Sequence, residues 1–129
     1  MISQVKLLRI VEDHLDHIVQ LAEECITKTN ATQIKLTESQ LRNLQNLAAA
    51  SNSLRALENF IAYQMGRRNI PKEVGSQIMD DFQCLSQKAK EIANNENADA
   101  QFERKLLTEM IQMYLGFLVR KFVAEHKGE

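Results

Sequence analysis

Residues 102–122, FERKLLTEMIQMYLGFLVRKF, contain the pattern that decides the fold. Apolar side chains recur there every three or four residues, as they do on one side of a helix. They form two adjacent stripes: Phe102, Leu106, Met110, Met113 and Phe117, and beside them Leu107, Ile111, Tyr114, Leu118 and Phe122. The pattern predicts a final helix over about residues 99–125 with an unusually wide apolar face. Such a face has to be covered, and two coverings are open: the centre of the chain's own bundle, or another subunit.

The same spacing, followed towards the N-terminus, predicts four earlier helices. A stripe of apolar residues from Leu8 to Cys25 predicts a first helix over about residues 3–28. Ser3 is placed to cap its first turn, because a serine hydroxyl accepts a hydrogen bond from a free amide there. The polar, aperiodic segment 27–35 is typical of a loop.

The starts and ends of the middle helices are marked by specific residues. The run TESQ at residues 37–40 has the form of a capping box and predicts the start of the second helix. The run SNS at residues 51–53 interrupts the apolar pattern, and the third helix has to end before Pro71, which we expect to open the fourth helix. Residues 94–99, NNENAD, form the linker before the final helix.

Length and composition favour one folded domain. The chain has 129 residues, of which 44% are hydrophobic and 26% charged, as in globular proteins. Strand and hairpin patterns are absent, so we predict an all-α fold, a compact bundle of about five helices in a single domain over residues 1–129. The sequence contains no apolar run of about 18 residues and no signal peptide, and we expect a cytoplasmic protein. Cys25 and Cys84 have no metal-ligand spacing and are interpreted as buried thiols.

The formal net charge of -1 hides a segregation along the chain. Residues 34–72 carry six positive and two negative side chains, whereas residues 73–103 carry two positive and seven negative ones. A small domain can place such segments on different faces, so that one face meets a polyanion. Chance and ordinary solvated helix faces are the alternative explanation.

Residues for catalysis are not apparent in the sequence. His14 and His17, among acidic neighbours, come nearest to a metal or acid–base cluster. Metal sites in helical bundles use a Glu three residues before the His, and Val11 occupies that position for His14. The four glycines are too scattered for a phosphate-binding loop. We predict no catalytic residue, no metal and no cofactor; a metal-dependent enzyme using the two histidines is the weaker alternative.

A set of basic residues is the remaining candidate for a functional site. It comprises Lys35, Arg42, Arg55, Arg67, Arg68 and Lys72, joined by Arg120 and Lys121 from the final helix. Guanidinium groups bind phosphates in two places, and a helix start adds free amide donors. Aromatic residues make up only 5% of the chain, so we expect backbone contact without base stacking. Structural roles are the alternative: Arg67 and Arg68 complement a helix dipole, and Arg55 has Glu58 three residues on.

The runs KLTESQLR at residues 35–42 and YQMGR at residues 63–67, in this order and spacing, resemble motifs of the small subunit of type III-A CRISPR effectors, the Csm complex. The chain length and the closing apolar helix agree. This resemblance implies a helical, non-catalytic subunit present in several copies, stacked beside the repeated backbone subunit that holds the guide RNA. It implies that target RNA, or its duplex with the guide, lies along the subunit, and that cleavage belongs to other subunits.

From the basic set and the resemblance together, we expect a particular group of side chains to contact RNA. The group is Lys35, Ser39, Arg42, Arg67, Arg68, Arg120 and Lys121. Thr37 and Gln40 are expected to act structurally in the capping box. The expected partners are target RNA, the guide-RNA duplex, other Csm subunits and copies of the chain itself, with no membrane. Two alternatives stay open: a protein-only helical adaptor or dimer, and the related type III-B small subunit.

Overall fold

A computed structural model describes residues 3–33 and 36–125 of the chain, and the all-α prediction is confirmed over these residues. They form six α-helices and one short 3₁₀ turn, where about five helices were expected. The helices are α1 (Gln4–Asp13), α2 (Leu15–Lys28), α3 (Glu38–Ala50), α4 (Leu54–Gly66), α5 (Lys72–Asn95) and α6 (Ala100–Glu125), and the 3₁₀ turn is Ala31–Gln33. No helix among the described residues is long and apolar enough to cross a membrane.

The additional helix arises because the predicted first helix is broken at His14. Its backbone dihedrals, φ -108° and ψ 9°, are not helical, and its amide donates to the carbonyl of Val11 as in a tightened turn. The His14 ring nitrogen Nδ1 lies 3.0 Å from the carbonyl oxygen of Ile10, which the break leaves without its helical partner. The start is as predicted, since the Ser3 hydroxyl accepts from the amide of Lys6.

The predicted capping box of α3 is confirmed, and α4 has a serine cap that was not predicted. In the capping box of α3, the Gln40 amide donates to the Thr37 hydroxyl at 3.4 Å and the Thr37 amide donates to Gln40 Oε1 at 2.8 Å. The Ser53 hydroxyl caps α4 by accepting from the amide of Ala56. Pro71 lies at the cap position of α5, one residue before the first turn expected for it. These caps satisfy amides that the first turn of a helix leaves free.

The final helix α6 lies at the centre of the bundle, packed against α2, α3 and α5. Seven of its buried side chains come from the two predicted stripes: Phe102, Leu106, Met110, Ile111, Tyr114, Leu118 and Phe122. Leu115 and Val119 are also buried, although neither stripe includes them. The wide apolar face is therefore covered by the chain's own helices, which answers the question that the sequence left open. Met113, which the stripes place on this face, is instead 39% exposed.

Among the described residues, Asp81 is the charged or polar residue that is buried in this core. The Tyr114 hydroxyl donates to Asp81 Oδ2 at 2.5 Å, and Gln77 Nε2 donates to Asp81 Oδ1 at 3.0 Å, so both carboxyl oxygens have partners. Cys25 is buried beside this network, as predicted. The same prediction is wrong for Cys84, which is exposed, because it lies on α5 beside the apolar stripe and not within it.

Candidate nucleic-acid interface

Helices α3 and α4 bring together the two ends at which most of the predicted site residues lie. Gln40 and Asn43, from the start of α3, line one cleft with Gln64, from the end of α4, and with Asn69 beyond it. The N-terminal end of α3 therefore lies beside the C-terminal end of α4. As a result, two segments lie side by side at one end of the bundle: the start of α3 with Ser39 and Arg42, and the end of α4 with Arg67 and Arg68.

Helix α6 reaches the same end because it runs antiparallel to α3. Gln112 Nε2 donates to the carbonyl of Ala48 at 3.3 Å, and one turn later Gly116 lies beside Gln45. Arg120 follows one further turn along α6, towards the start of α3. We call the end of the bundle that carries Arg42, Arg67, Arg68 and Arg120 the basic end.

Arg42 is exposed on α3 and forms an ion pair with Glu38, one turn earlier on the same helix. Exposed pairs at this spacing contribute only about 0.3 to 0.5 kcal/mol. A phosphate group can therefore compete with Glu38 for the guanidinium. Ser39 is also exposed, in the first turn of α3, where the amides of Glu38 and Ser39 have no acceptor within the helix.

Arg67 is held against Tyr63 on the surface of α4. Its Nη1 donates to the Tyr63 hydroxyl at 2.8 Å, and the guanidinium carbon lies 5.5 Å from the centre of the tyrosine ring. The tyrosine side chain is 54% exposed, so this pair faces solvent. The contact orders the arginine without neutralising its charge, because a neutral tyrosine is the partner.

Arg68 occupies the left-handed residue that ends α4, with φ 62°. The amide of Arg68 donates to the carbonyl of Met65, and the amide of Asn69 donates to the carbonyl of Gln64. This is the Schellman arrangement, in which glycine is the residue most often found at the left-handed position. Within the described residues, the Arg68 side chain has no hydrogen-bond or ion-pair partner.

The remaining predicted residues differ in how available they are. Arg120 lies over the ring of Phe117 at 5.5 Å and is exposed, whereas Lys121 forms an ion pair with Glu125 at 3.0 Å. Lys35 lies outside the described residues. The structure thus places four arginines and Ser39 at the same end of the bundle, with Lys121 next to Arg120 but paired.

The described residues hold no group of three or more histidine, cysteine and acidic side chains placed to bind a metal ion. Burial raises the pKa of the Cys25 thiol to about 12, so that this thiol stays protonated near neutral pH. Burial also raises the pKa of the Asp81 carboxyl above its ordinary value of 3.8, although hydrogen bonds from Tyr114 and Gln77 oppose the rise. Both groups are enclosed in the core and away from the cleft.

Sequence reasoning missed the cleft between α3 and α4. Its walls carry Asn43, Phe60, Gln64 and Asn69, none of which was a candidate, and Gln40, which was given only a capping role. The sequence does hold a signal for it, since Gln40 and Asn43 are three residues apart and so share one face of α3. The partner face on α4 became apparent only through the packing of the two helices.

Comparison with known proteins adds no assignment to this geometry: no family model, no curated protein and no solved structure matches the chain.

Proposed function

We propose that this chain is a non-catalytic small subunit of a type III-A CRISPR effector that lines target RNA, or its duplex with the guide, through the basic end. The observation that supports the proposal is that Arg42 on α3, Arg67 and Arg68 just after α4, and Arg120 on α6 lie at the same end of the bundle. The described parts of the two motifs behind the resemblance, residues 36–42 and 63–67, also lie beside each other there, because Gln40 and Gln64 line the same cleft.

The expected mode of binding is electrostatic contact with the sugar-phosphate backbone. Guanidinium groups form two parallel hydrogen bonds to a phosphate, and the free amides at the start of α3 favour an anion as well. If one subunit neutralises about four phosphates of a single strand, the logarithm of its affinity falls with the logarithm of salt concentration at a slope of roughly -3.

Several copies on one RNA strand would compensate for the weakness of each. Once one subunit is bound within an assembly, its neighbour meets the strand at a high effective concentration, which raises the overall affinity without new contacts. The proposal therefore places the function in the assembled complex, with the single chain as a weak binder.

The test is charge reversal at the basic end. We expect the Arg42→Glu, Arg67→Glu double variant to lower target-RNA affinity of the reconstituted complex and to make its salt slope shallower by about 1 to 1.5. Arg55→Glu is the matched control, because Arg55 is exposed on α4 at the end opposite Arg67. Unchanged affinity together with an unchanged slope in the double variant would contradict the proposal, and loss of assembly would indicate a subunit interface.

The adaptor alternative depended on the wide apolar face of α6 as a dimer surface. In the structure that face is packed against α2, α3 and α5. Since no other observation favours the adaptor, we propose one function only.

A further inference from the structure

The cleft between α3 and α4 is lined mainly by side-chain amides. Four carboxamides line it, from Gln40, Asn43, Gln64 and Asn69, with the ring of Phe60 and part of Ile70 completing the walls. No charged side chain lines it, although Arg67 and Arg68 lie between Gln64 and Asn69 in the chain. We call it the carboxamide cleft. Its open volume is about 100 Å³.

The amides in the cleft are only partly used by the protein. Gln40 Oε1 accepts from the Thr37 amide, and Asn69 Nδ2 donates to Gln64 Oε1 at 2.8 Å. These contacts fix the orientation of three carboxamides and leave the NH₂ groups of Gln40 and Gln64, and the oxygen of Asn69, for another partner. The side-chain carboxamide of Asn43 has no hydrogen-bond partner among the described residues. The cleft thus offers both donors and acceptors at fixed places.

This combination of groups fits the edge of a nucleobase. Base edges present donors and acceptors side by side, and carboxamides pair with them in two places at once. Proteins that bind single-stranded RNA also place an aromatic ring against the base, as Phe60 is placed here. An uncharged cleft next to arginines separates the two tasks, because the arginines meet phosphate and the amides meet a neutral ring.

The pair of Tyr63 and Arg67 extends this surface. Tyr63 lies on α4, one turn after Phe60 and one turn before Arg67. The hydrogen bond from Arg67 holds the exposed tyrosine ring in place. Stacking on an ordered aromatic ring contributes about 1 to 3 kcal/mol per base. Two of the seven aromatic residues of the chain, Phe60 and Tyr63, therefore lie on α4 at or beside the cleft.

We propose that the carboxamide cleft takes one unpaired nucleobase of the RNA strand held by the basic end. The inference rests on the proposed function for the source of the base, but the cleft's chemistry for a neutral base does not depend on the arginines. Each subunit would then read one base in addition to following the backbone. This differs from the purely sequence-independent contact that the sequence predicts.

The cleft can be tested without any phosphate. The chain labelled with ¹⁵N is titrated separately with adenosine, cytidine and uridine, and the side-chain NH₂ resonances are followed. We expect those of Asn43 and Gln64 to shift, while that of Asn46, exposed on α3 outside the cleft, stays in place. Ribose 5-phosphate is the control ligand, which has the phosphate and sugar but no base. Absence of shifts at Asn43 and Gln64 with all three nucleosides would overturn the inference.

A second measurement separates the cleft from the basic end. The chain is bound to an RNA strand and to the same strand with abasic positions, at several salt concentrations. We expect the intact strand to bind at least about fivefold more tightly than the abasic strand. Asn43→Leu should remove this difference and leave the salt slope unchanged, whereas Asn46→Leu should alter neither.

The outcomes distinguish the two proposals. Equal binding of the intact and abasic strands with a normal salt slope would overturn the cleft inference and leave the backbone contact standing. If neither strand binds to the wild-type chain or to the assembled complex, the proposed function is overturned. The nucleoside titration then decides on the cleft by itself.

Discussion

Arg68 is the residue whose conformation is least expected for its type. Three non-glycine residues of the described chain have positive φ, namely Asn30, Arg68 and Asn97, and each follows the C-terminus of a helix. Asparagine adopts this conformation with little strain, but a long side chain such as arginine is uncommon there. Backbone strain that is retained at a surface position is a reason to look for a function, and Arg68 lies at the basic end.

We expect Arg68→Gly to raise the free energy of unfolding by about 0.5 to 1 kcal/mol and at the same time to weaken RNA binding. Urea unfolding measures the first effect, and binding at several salt concentrations measures the second. Asn97→Gly is the matched control, since Asn97 has φ 53° at the end of α5 but lies outside the basic end. A destabilised Arg68→Gly variant would contradict the strain argument, and unchanged RNA affinity would contradict the assigned contact.

Asp81 links the stability of the core to pH. Burial raises the pKa of its carboxyl, so the folded chain keeps this proton at pH values at which the unfolded chain has released it. Folding therefore takes up a proton, and the contribution of Asp81 to stability falls as pH rises from its ordinary pKa of 3.8 through the folded-state value. Asp81→Asn removes the titration and keeps the shape of the side chain.

We expect the free energy of unfolding of the Asp81→Asn variant to increase relative to that of the wild type as pH rises. Urea unfolding of both proteins at several pH values between about 4 and 7 measures this difference, and the other carboxylates cancel in it. Two profiles that run parallel would show that Asp81 does not titrate differently in the folded chain.

At the scale of the elements, α4 and α5 approach closely at a glycine. A Cβ atom added to Gly75 would lie 2.4 Å from Met65 Sδ and 3.3 Å from Ile61 Cγ2. Replacing a glycine within a helix by alanine normally stabilises the protein by about 0.5 to 1 kcal/mol. Here the gain is opposed by overpacking, which costs about 1 to 3 kcal/mol.

We therefore expect Gly75→Ala to destabilise the chain, and Gly116→Ala to stabilise it by up to about 1 kcal/mol. Gly116 lies in α6, where an added Cβ would meet only Gln45 Nε2, at 3.6 Å. Thermal unfolding of both variants measures the two signs. If Gly75→Ala proved as stabilising as Gly116→Ala, Met65 would have to move away at no cost, contrary to the packing described.

The ends of the helices could be predicted from sequence where the signal is local. The capping box at Thr37 and the cap at Ser3 involve residues within three positions of each other, and both are present as predicted. The cap at Ser53 is equally local, although it was not predicted. The break at His14 has no such signal, because the apolar stripe continues from Val11 to Leu15 without glycine or proline. The position of this break is therefore set by the tertiary packing of α1 and α2 and not by the local sequence pattern.

The same distinction applies to the candidate site at the scale of the whole molecule. The arginines could be selected from sequence because charge is visible there, and the two motifs indicated their region. Which of them meet depends on the antiparallel packing of α6 on α3 and on the pairing of α3 with α4, neither of which is encoded locally. The carboxamide cleft depends on that packing entirely, since Asn43 and Gln64 are distant in sequence.

The covered face of α6 predicts the state of the free chain. Within residues 3–33 and 36–125, the exposed large apolar side chains are spread over α1, α4 and α6: Val5, Leu8, Tyr63, Met113 and Val123. We expect sedimentation equilibrium at micromolar concentration to give a single chain of 14.8 kDa, and larger species to form only on RNA strands that hold several copies. A tight dimer that is indifferent to RNA would favour the adaptor instead.

The central position of α6 also has a consequence for the time at which the protein becomes folded. The ribosome makes this helix after α1 to α5, so α2, α3 and α5 emerge before the element that covers their apolar faces. At about 5 to 20 residues per second, the 26 residues of α6 take roughly one to five seconds to translate. During that interval the apolar faces of the earlier helices lack their cover, and such exposed surface favours aggregation. Slow codons within α6 should therefore lower the yield of folded protein more than the same number of slow codons within α1.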